Sequence, residues 1–189
     1  MAISNNYLES VRKQFAYYRQ LGEKAMAQLE PEQLFQQVND DSNSIAIIVK
    51  HLSGNMLSRW TDFLTTDGEK SWRNRDSEFE NDLTTATEVR DAWNAGWACF
   101  ENALQQLEPE QLDTLIYIRN EGHTVMEAIN RQLAHYPYHV GQIVFAAKML
   151  KSTAWDSLSI PKNQSGQYNA DKFAQEKQRR HFTDGEMNR

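Results

Sequence analysis

Two histidines, His135 and His139, lie four residues apart in the segment QLAHYPYHVGQI, which otherwise has the composition of a buried helix. Side chains at positions i and i+4 of a helix project from one face, about 5–6 Å apart, so both imidazoles can reach the same ion. A third histidine, His51, lies in the segment KHLSGNM. Three imidazole nitrogens that leave coordination positions open are typical of a catalytic metal centre, whereas structural zinc sites are normally closed by four protein ligands.

The same histidines can also be interpreted as packed core residues. A His-x-x-x-His pair arises by chance in roughly one of ten such chains, so the motif alone is weak. However, His51 and His139 fall on or beside apolar stripes without an obvious carboxylate partner, where an unpaired imidazole is costly to bury. This favours metal ligands. No glutamate follows His135, which excludes the zinc-peptidase pattern His-Glu-x-x-His and its general base.

Pro137 stands between the two histidines of the pair. It has no backbone N–H and its ring crowds the preceding turn, so we expect a kink or a local widening of the helix. A kink could aim His135 and His139 at one point or could separate them. The sequence favours neither outcome.

Four segments with helical periodicity must position these residues. They span about residues 8–29, 44–65, 84–107 and 124–150. Thr124 precedes the last of them, and Glu127 follows three residues later, which is the spacing of a capping box. Four helices of about 22–28 residues predict an all-α fold, a four-helix bundle.

The connections between these helices differ in character. The polar stretch from Thr65 to Asp82 predicts a long crossover between the second and third helices. The stretch DTLIYIRNEGHT alternates β-branched residues around an Asn-Glu-Gly turn and predicts a short β-arm before the fourth helix. We therefore expect one bundle domain over residues 1–160 and a polar C-terminal tail over 161–189, with a short helix near Asp171 to Arg180.

The segment QLEPEQL occurs twice, at Gln28 to Leu34 and at Gln106 to Leu112. Each copy follows one long helix and precedes another. Glu-Pro-Glu is a good stop and restart for helices, but seven identical residues in the same place favour a duplicated helix pair. Duplication makes two pairs of positions equivalent: His51 with His135, and Asn55 with His139.

Composition narrows the range of partners. The net charge of −6 argues against a nucleic-acid surface. The single Cys99 cannot form an internal disulfide. The longest apolar run, IAIIV, is far shorter than the roughly 20 residues that span a bilayer, and MAISNNYLES does not have the pattern of a secretory signal. We expect a cytoplasmic protein without nucleic-acid or membrane partners.

Two segments, SIAIIVKHLSGNMLSRWTDFL and HTVMEAINRQLAHYPYHVGQIVFAAKML, resemble the signature segments of the DinB-like superfamily of bacterial four-helix-bundle proteins. The resemblance covers about residues 5–160 and is nearest to an uncharacterised subfamily. It implies a divalent metal, zinc or nickel, held by His51, His135 and His139. It also implies a homodimer, since relatives are commonly dimeric. The better understood relatives are transferases and isomerases that use bacillithiol or mycothiol.

The leading hypothesis is therefore a divalent-metal-dependent transferase or isomerase that acts on a small electrophile, with a low-molecular-weight thiol as a candidate co-substrate. Asn55 is a candidate hydrogen-bond partner of a metal-bound water, and Gln142 is a candidate partner of a ligand. We expect His123 to be a turn residue and His181 to be solvated. The alternative is a non-catalytic, stress-associated dimeric bundle whose metal is structural or absent. In a third hypothesis the histidines are ordinary core residues.

Overall fold

Four long helices dominate the computed structural model, which describes residues 2–185. They are α1 Ala2–Met26, α2 Ile45–Trp60, α3 Ala86–Gln106 and α4 Val125–Lys151. A short fifth helix, α5, spans Ser165–Phe173, and the strands β1 Leu115–Ile118 and β2 Glu121–Thr124 form a hairpin. The protein is mostly helical, in agreement with the predicted all-α class. In the part of the chain that the structure describes, every helix is too short or too polar to cross a membrane.

Side-chain caps fix where the long helices begin. Ser44 caps α2 through its hydroxyl, while Thr85 with Glu88 and Thr124 with Glu127 form complete capping boxes at α3 and α4. Each cap satisfies backbone N–H groups that have no partner within the helix and contributes about 1 kcal/mol. The capping box predicted at Thr124 is therefore confirmed.

The end of α2 differs from the prediction, since the helix stops at Trp60 and not at Thr65. The backbone of Asp62 adopts a left-handed conformation with φ of 47°. Its carbonyl oxygen then accepts the N–H groups of Thr65 and Thr66 at 3.0 Å each. This tight turn replaces the last helical turn that the apolar spacing suggested.

The core lies where α1 packs on α4 and α2 packs on α3. At its centre, Phe15, Trp97, Phe100 and Tyr136 make edge-to-face and tilted ring contacts, with centroids 4.5–6.1 Å apart. Such pairs add about 0.5–1.5 kcal/mol each beyond the burial of their area. The cluster joins α1, α3 and α4, and Trp60 of α2 extends it through a tilted contact with Phe100.

Gly96 allows α3 to approach α2 closely. A Cβ atom at this position would lie 2.7 Å from the Cα atom of Ser53 on α2. Because that neighbour is backbone and cannot rotate away, any larger residue would push the two helices apart.

A long connection, residues 61–85, joins α2 to α3, as predicted, and we call it the α2–α3 connection. It contains one short 3₁₀ helix, Asp76–Phe79, which packs against α2. The connection also holds the tip of the hairpin, because the carboxylate of Asp67 accepts the backbone N–H groups of Arg119 and Asn120 at 2.8 Å each.

The predicted β-arm is confirmed as a hairpin in which Leu115 pairs with Thr124. Its turn, however, falls on Arg119 and Asn120, one residue earlier than predicted, and Glu121 and Gly122 belong to β2. Both turn residues have positive φ, 57° and 62°, as in the type I′ turns that suit the twist of two-residue hairpins. The bonds to Asp67 hold them in that conformation.

Both copies of QLEPEQL form the same local structure. Each contains a 3₁₀ helix, Pro31–Phe35 or Pro109–Asp113, preceded by a glutamate that forms a capping box with a glutamine. Each also buries its last leucine, Leu34 or Leu112. This equivalence supports the interpretation of the chain as a duplicated helix pair.

The predicted tail helix at residues 171–180 is wrong in position. The helix in this region is α5, which ends at Phe173. The following stretch, EKQRR, has no apolar residue to bury and concentrates positive charge, so nothing compensates the cost of ordering it as a helix. The last four residues of the predicted tail, 186–189, lie outside the described residues.

We expected His181 to be solvated, and this prediction is wrong. Its ring is partly buried against α1, with Nε2 3.1 Å from the Ser10 hydroxyl and Nδ1 2.7 Å from the Thr183 hydroxyl. The tail therefore returns to the helical body at this point.

Candidate metal centre

The three predicted histidines meet at one point between α2 and α4. The Nε2 atom of His135 lies 3.4 Å from Nε2 of His51 and 3.1 Å from Nε2 of His139. Nitrogens bound to one tetrahedral zinc ion at about 2.0–2.1 Å are about 3.3 Å apart, so these two distances match a shared ion. All three candidate ligand atoms lie within 4.8 Å of one another. The group could hold a metal ion.

The outer nitrogen of each ring, Nδ1, faces a side-chain oxygen. The three contacts are His51 with Glu78 Oε2 at 2.9 Å, His135 with Gln132 Oε1 at 3.3 Å, and His139 with Gln142 Oε1 at 2.8 Å. Because these oxygens accept hydrogen bonds, the proton of each neutral imidazole lies on Nδ1 and the lone pair on Nε2. Gln142 thus contacts His139 in the way expected of a residue that orients a ligand.

Three lone pairs that point at one centre repel each other unless a cation lies between them. When all three rings are neutral and carry their proton on Nδ1, the Nε2 atoms cannot form hydrogen bonds with one another. Imidazole nitrogen is a donor that suits zinc and nickel. The donor set therefore fits the divalent metal that the resemblance implies.

The protonation of the rings agrees with this role. Burial, together with the repulsion that a protonated His135 would meet from the neighbouring His139 and His51 rings, lowers the pKa of His135 to about 3. Burial also lowers the pKa of His139 below the usual value. Both rings are neutral near pH 7, and only a neutral imidazole can bind a metal.

Glu78 is the carboxylate partner of the site. It is 5% exposed, and its two oxygens accept Arg73 Nε–H at 2.7 Å and Arg73 Nη2–H at 3.0 Å in addition to the N–H of His51. Burial acts to raise the pKa of Glu78, but the hydrogen bonds from His51 and Arg73 outweigh it, so the pKa lies below its usual value. Glu78 is therefore a carboxylate at neutral pH and keeps the proton of His51 on Nδ1.

Gly54 makes room for this carboxylate. A Cβ atom at Gly54 would overlap the carboxylate of Glu78. The absence of a side chain on this face of α2 is what allows Glu78 to reach His51.

Pro137 does not separate His135 from His139 on α4. The helix continues through Pro137, and the rings of His135 and His139 lie with centroids 4.7 Å apart. Of the two outcomes that the sequence left open, the structure has the one in which both rings share a face.

Asn55 lies beside the histidines without contacting them. Its side-chain oxygen accepts the hydroxyl of Tyr136 at 3.2 Å, and that hydroxyl accepts the indole N–H of Trp60 at 3.0 Å. Within residues 2–185, the amide nitrogen of Asn55 has no acceptor. Its suggested hydrogen bond to a metal-bound water stays a prediction.

A pocket of about 380 Å³ opens next to the three histidines. Asn55, Gln132 and Phe79 contribute to its wall, and five arginines form most of the rest. These are Arg59, Arg73, Arg75, Arg119 and Arg131. Sequence reasoning missed the arginines because they come from separate elements that only the fold brings together.

The remaining histidine and cysteine candidates lie elsewhere. His123 lies in β2, where it pairs with Ile116. The expectation that it is a turn residue is wrong, because the turn falls on the two residues before β2. Cys99 is on α3 and contacts the hydroxyl of Thr61 at 3.5 Å. Neither residue is part of the metal-binding group.

The fold and site define a mostly helical protein with a candidate three-histidine metal centre. Over residues 2–164 the chain matches the model of a family described as Protein of unknown function (DUF1572), and it belongs to that family. No curated protein and no solved structure matches it.

Proposed function

We propose that this protein is a metal-dependent enzyme built as a DinB-like four-helix bundle, which transfers a thiol to a small electrophile or isomerises it. Zinc or nickel would be held by His51, His135 and His139. The observation that carries the proposal is the convergence of the three Nε2 atoms beside an open pocket.

A divalent cation held by these nitrogens would lower the pKa of a bound thiol or water and supply a nucleophile at neutral pH. The chain contributes orientation: Glu78 holds the ring of His51, and Arg73 holds Glu78 through two hydrogen bonds. The pocket has the volume of a small-molecule site. Its polar wall, including Asn55, can orient a substrate.

The environment of the site supports this proposal over a non-catalytic bundle. A structural zinc site would be closed by a fourth protein ligand. Among residues 2–185 the metal-binding group contains three histidines and no cysteine or carboxylate. A coordination position therefore remains for water or substrate.

We also propose that the protein is a homodimer. Three large apolar side chains on one outer stripe of α4, Tyr138, Phe145 and Met149, are 62%, 67% and 51% exposed. Sedimentation equilibrium of the wild type and of Phe145→Glu tests this. We expect a dimer for the wild type and a monomer for the variant, and a monomeric wild type would contradict the proposal.

Metal analysis of tag-free protein tests the metal centre. We expect about one equivalent of metal per chain in the wild type, and trace amounts in His135→Ala. His123→Ala is the matched control, because it removes a histidine outside the group, and it should bind metal as the wild type does. Equal trace metal in the wild type and in the variant that replaces all three ligands would refute the centre.

A second measurement tests catalysis. Consumption of bacillithiol or mycothiol with a small electrophile should require metal, and should be lost in His135→Ala but not in His123→Ala. If the metal-loaded protein accelerates neither this transfer nor an isomerisation that uses the same thiols, the non-catalytic alternative is favoured.

A further inference from the structure

Positive charge is concentrated around the pocket in a chain whose net charge is −6. The five arginines come from α2, the α2–α3 connection, the hairpin turn and α4. A local excess of positive charge in an acidic protein indicates that the ligand of the pocket is negatively charged.

Three of the arginines are partly neutralised. The Glu69 carboxylate forms ion pairs with Arg59 and Arg119 at 3.0 Å each and with Arg73 at 3.4 Å. Arg73 also binds Glu78. Two carboxylates, Glu69 and Glu78, thus pair with these three guanidinium groups, and Glu78 also accepts the N–H of His51.

The other two arginines have no acidic partner in the part of the chain that the structure describes. Arg75 stacks over the ring of Phe79 at 5.0 Å from its centroid. Arg131, one helical turn before His135, makes no hydrogen bond or ion pair within residues 2–185. Both side chains are exposed and line the same pocket, one from the connection and the other from α4.

Two guanidinium groups without acidic partners at the rim of one pocket create a positive potential that attracts an anion. The guanidinium group presents its donors as a planar fork that matches the oxygens of carboxylates and phosphates. The free amide nitrogen of Asn55 adds a neutral donor to the same wall.

We propose that the pocket binds its substrate through an anionic group, a carboxylate or a phosphate, that Arg75 and Arg131 hold. This deepens and rests on the proposed function, since it makes the electrophile a small organic acid or phosphate ester and not a neutral molecule. Anion binding itself, however, requires no metal.

Equilibrium titrations of metal-free protein test the inference, with succinate and inorganic phosphate as separate probes and succinamide as the neutral analogue. Arg75→Gln and Arg131→Gln should each weaken binding about tenfold, as expected for one charge-assisted hydrogen bond. Arg90→Gln, which removes an exposed arginine of α3 outside the pocket, is the matched control and should bind as the wild type does. Succinamide should not bind.

Tighter binding of succinate identifies a carboxylate substrate, and tighter binding of phosphate identifies a phosphate ester. Equal affinities in the wild type and both pocket variants, or no binding of either anion at millimolar concentration, would overturn the inference. Metal analysis of the same preparations as purified, before metal is removed for the titrations, separates the two proposals. If the protein binds the anion but no metal, only the metal centre is refuted. If it binds metal but the anion affinity is the same in the wild type, Arg75→Gln and Arg131→Gln, only the anion site is refuted.

Discussion

Replacing Glu78 with glutamine removes the negative charge behind His51 while keeping the shape of the side chain. The carboxylate accepts one N–H from His51 and two from Arg73. Glutamine has a single acceptor oxygen, so it can serve His51 or Arg73 but not both in the native geometry.

The cost has two parts. Loss of a partner that orients a metal-binding histidine weakens metal affinity about 10–100-fold, or roughly 1.4–2.8 kcal/mol. Leaving a charge without its buried partner costs about 3–5 kcal/mol of folding stability. The side chain of Arg73 is only 2% exposed but keeps Glu69 at 3.4 Å, so we expect a loss near the lower end of that range.

Competition for zinc between the protein and a chromophoric chelator measures the affinity, and urea unfolding of the metal-free protein measures the stability. Glu69→Gln is the matched control. It also removes a negative charge that pairs with Arg73, but Glu69 does not form a hydrogen bond with a histidine. We expect Glu69→Gln to change metal affinity by less than about threefold.

Two results would refute this reasoning. Unchanged metal affinity in a folded Glu78→Gln variant would mean that the hydrogen bond to His51 does not support the ligand. Equal losses of affinity in both variants would mean that the total charge of the region, and not the contact with the ring, controls the metal.

Four other substitutions probe the scaffold by urea unfolding. Gly96→Ala should destabilise the protein by about 1–3 kcal/mol, because the added methyl group overpacks the contact between α2 and α3. Gly141→Ala is the control: there is open space around Gly141, so the change should stabilise α4 by about 0.5–1 kcal/mol. Equal effects of the two substitutions would refute the close approach of α2 and α3. Tyr136→Phe should cost about 1–3 kcal/mol by leaving buried polar partners of the hydroxyl unsatisfied, and a neutral effect would contradict this. Backbone N–H groups, foremost that of Asn120, lower the pKa of Asp67 in the folded protein. The wild type should therefore have a higher free energy of unfolding than Asp67→Asn above pH about 3.9, the pKa of this carboxyl group in the unfolded chain. This difference should disappear as the pH falls through the lower pKa of the folded protein. A difference that is constant with pH would exclude the linkage.

Much of the helical scaffold follows from local chemistry. Thr124 and Glu127 form the predicted capping box because the signal lies within four residues of sequence. The apolar spacing that marked α4 also placed His135 and His139 on one face. Helical periodicity is thus sufficient to predict which ligands share a helix.

The groups that surround the histidines could not be predicted in this way. Glu78 lies in an irregular connection without periodicity, and its position depends on the absence of a side chain at Gly54. Arg75 and Arg131 are separated in the sequence by the whole of α3 and the hairpin, so only tertiary structure brings them to one pocket. The segment RNR, which precedes DSEFE in the connection, is a local signal of positive charge near the pocket.

The α2–α3 connection has a practical consequence for engineering. Surface loops normally tolerate inserted residues, because lengthening a loop adds little entropic cost. Here Glu78 and Asp67 bind different elements from the same stretch of chain, so an insertion between them would shift one anchor relative to the other. Affinity tags, fused domains and new termini belong instead in the mostly exposed segment 36–43, where the backbone supports no part of the pocket.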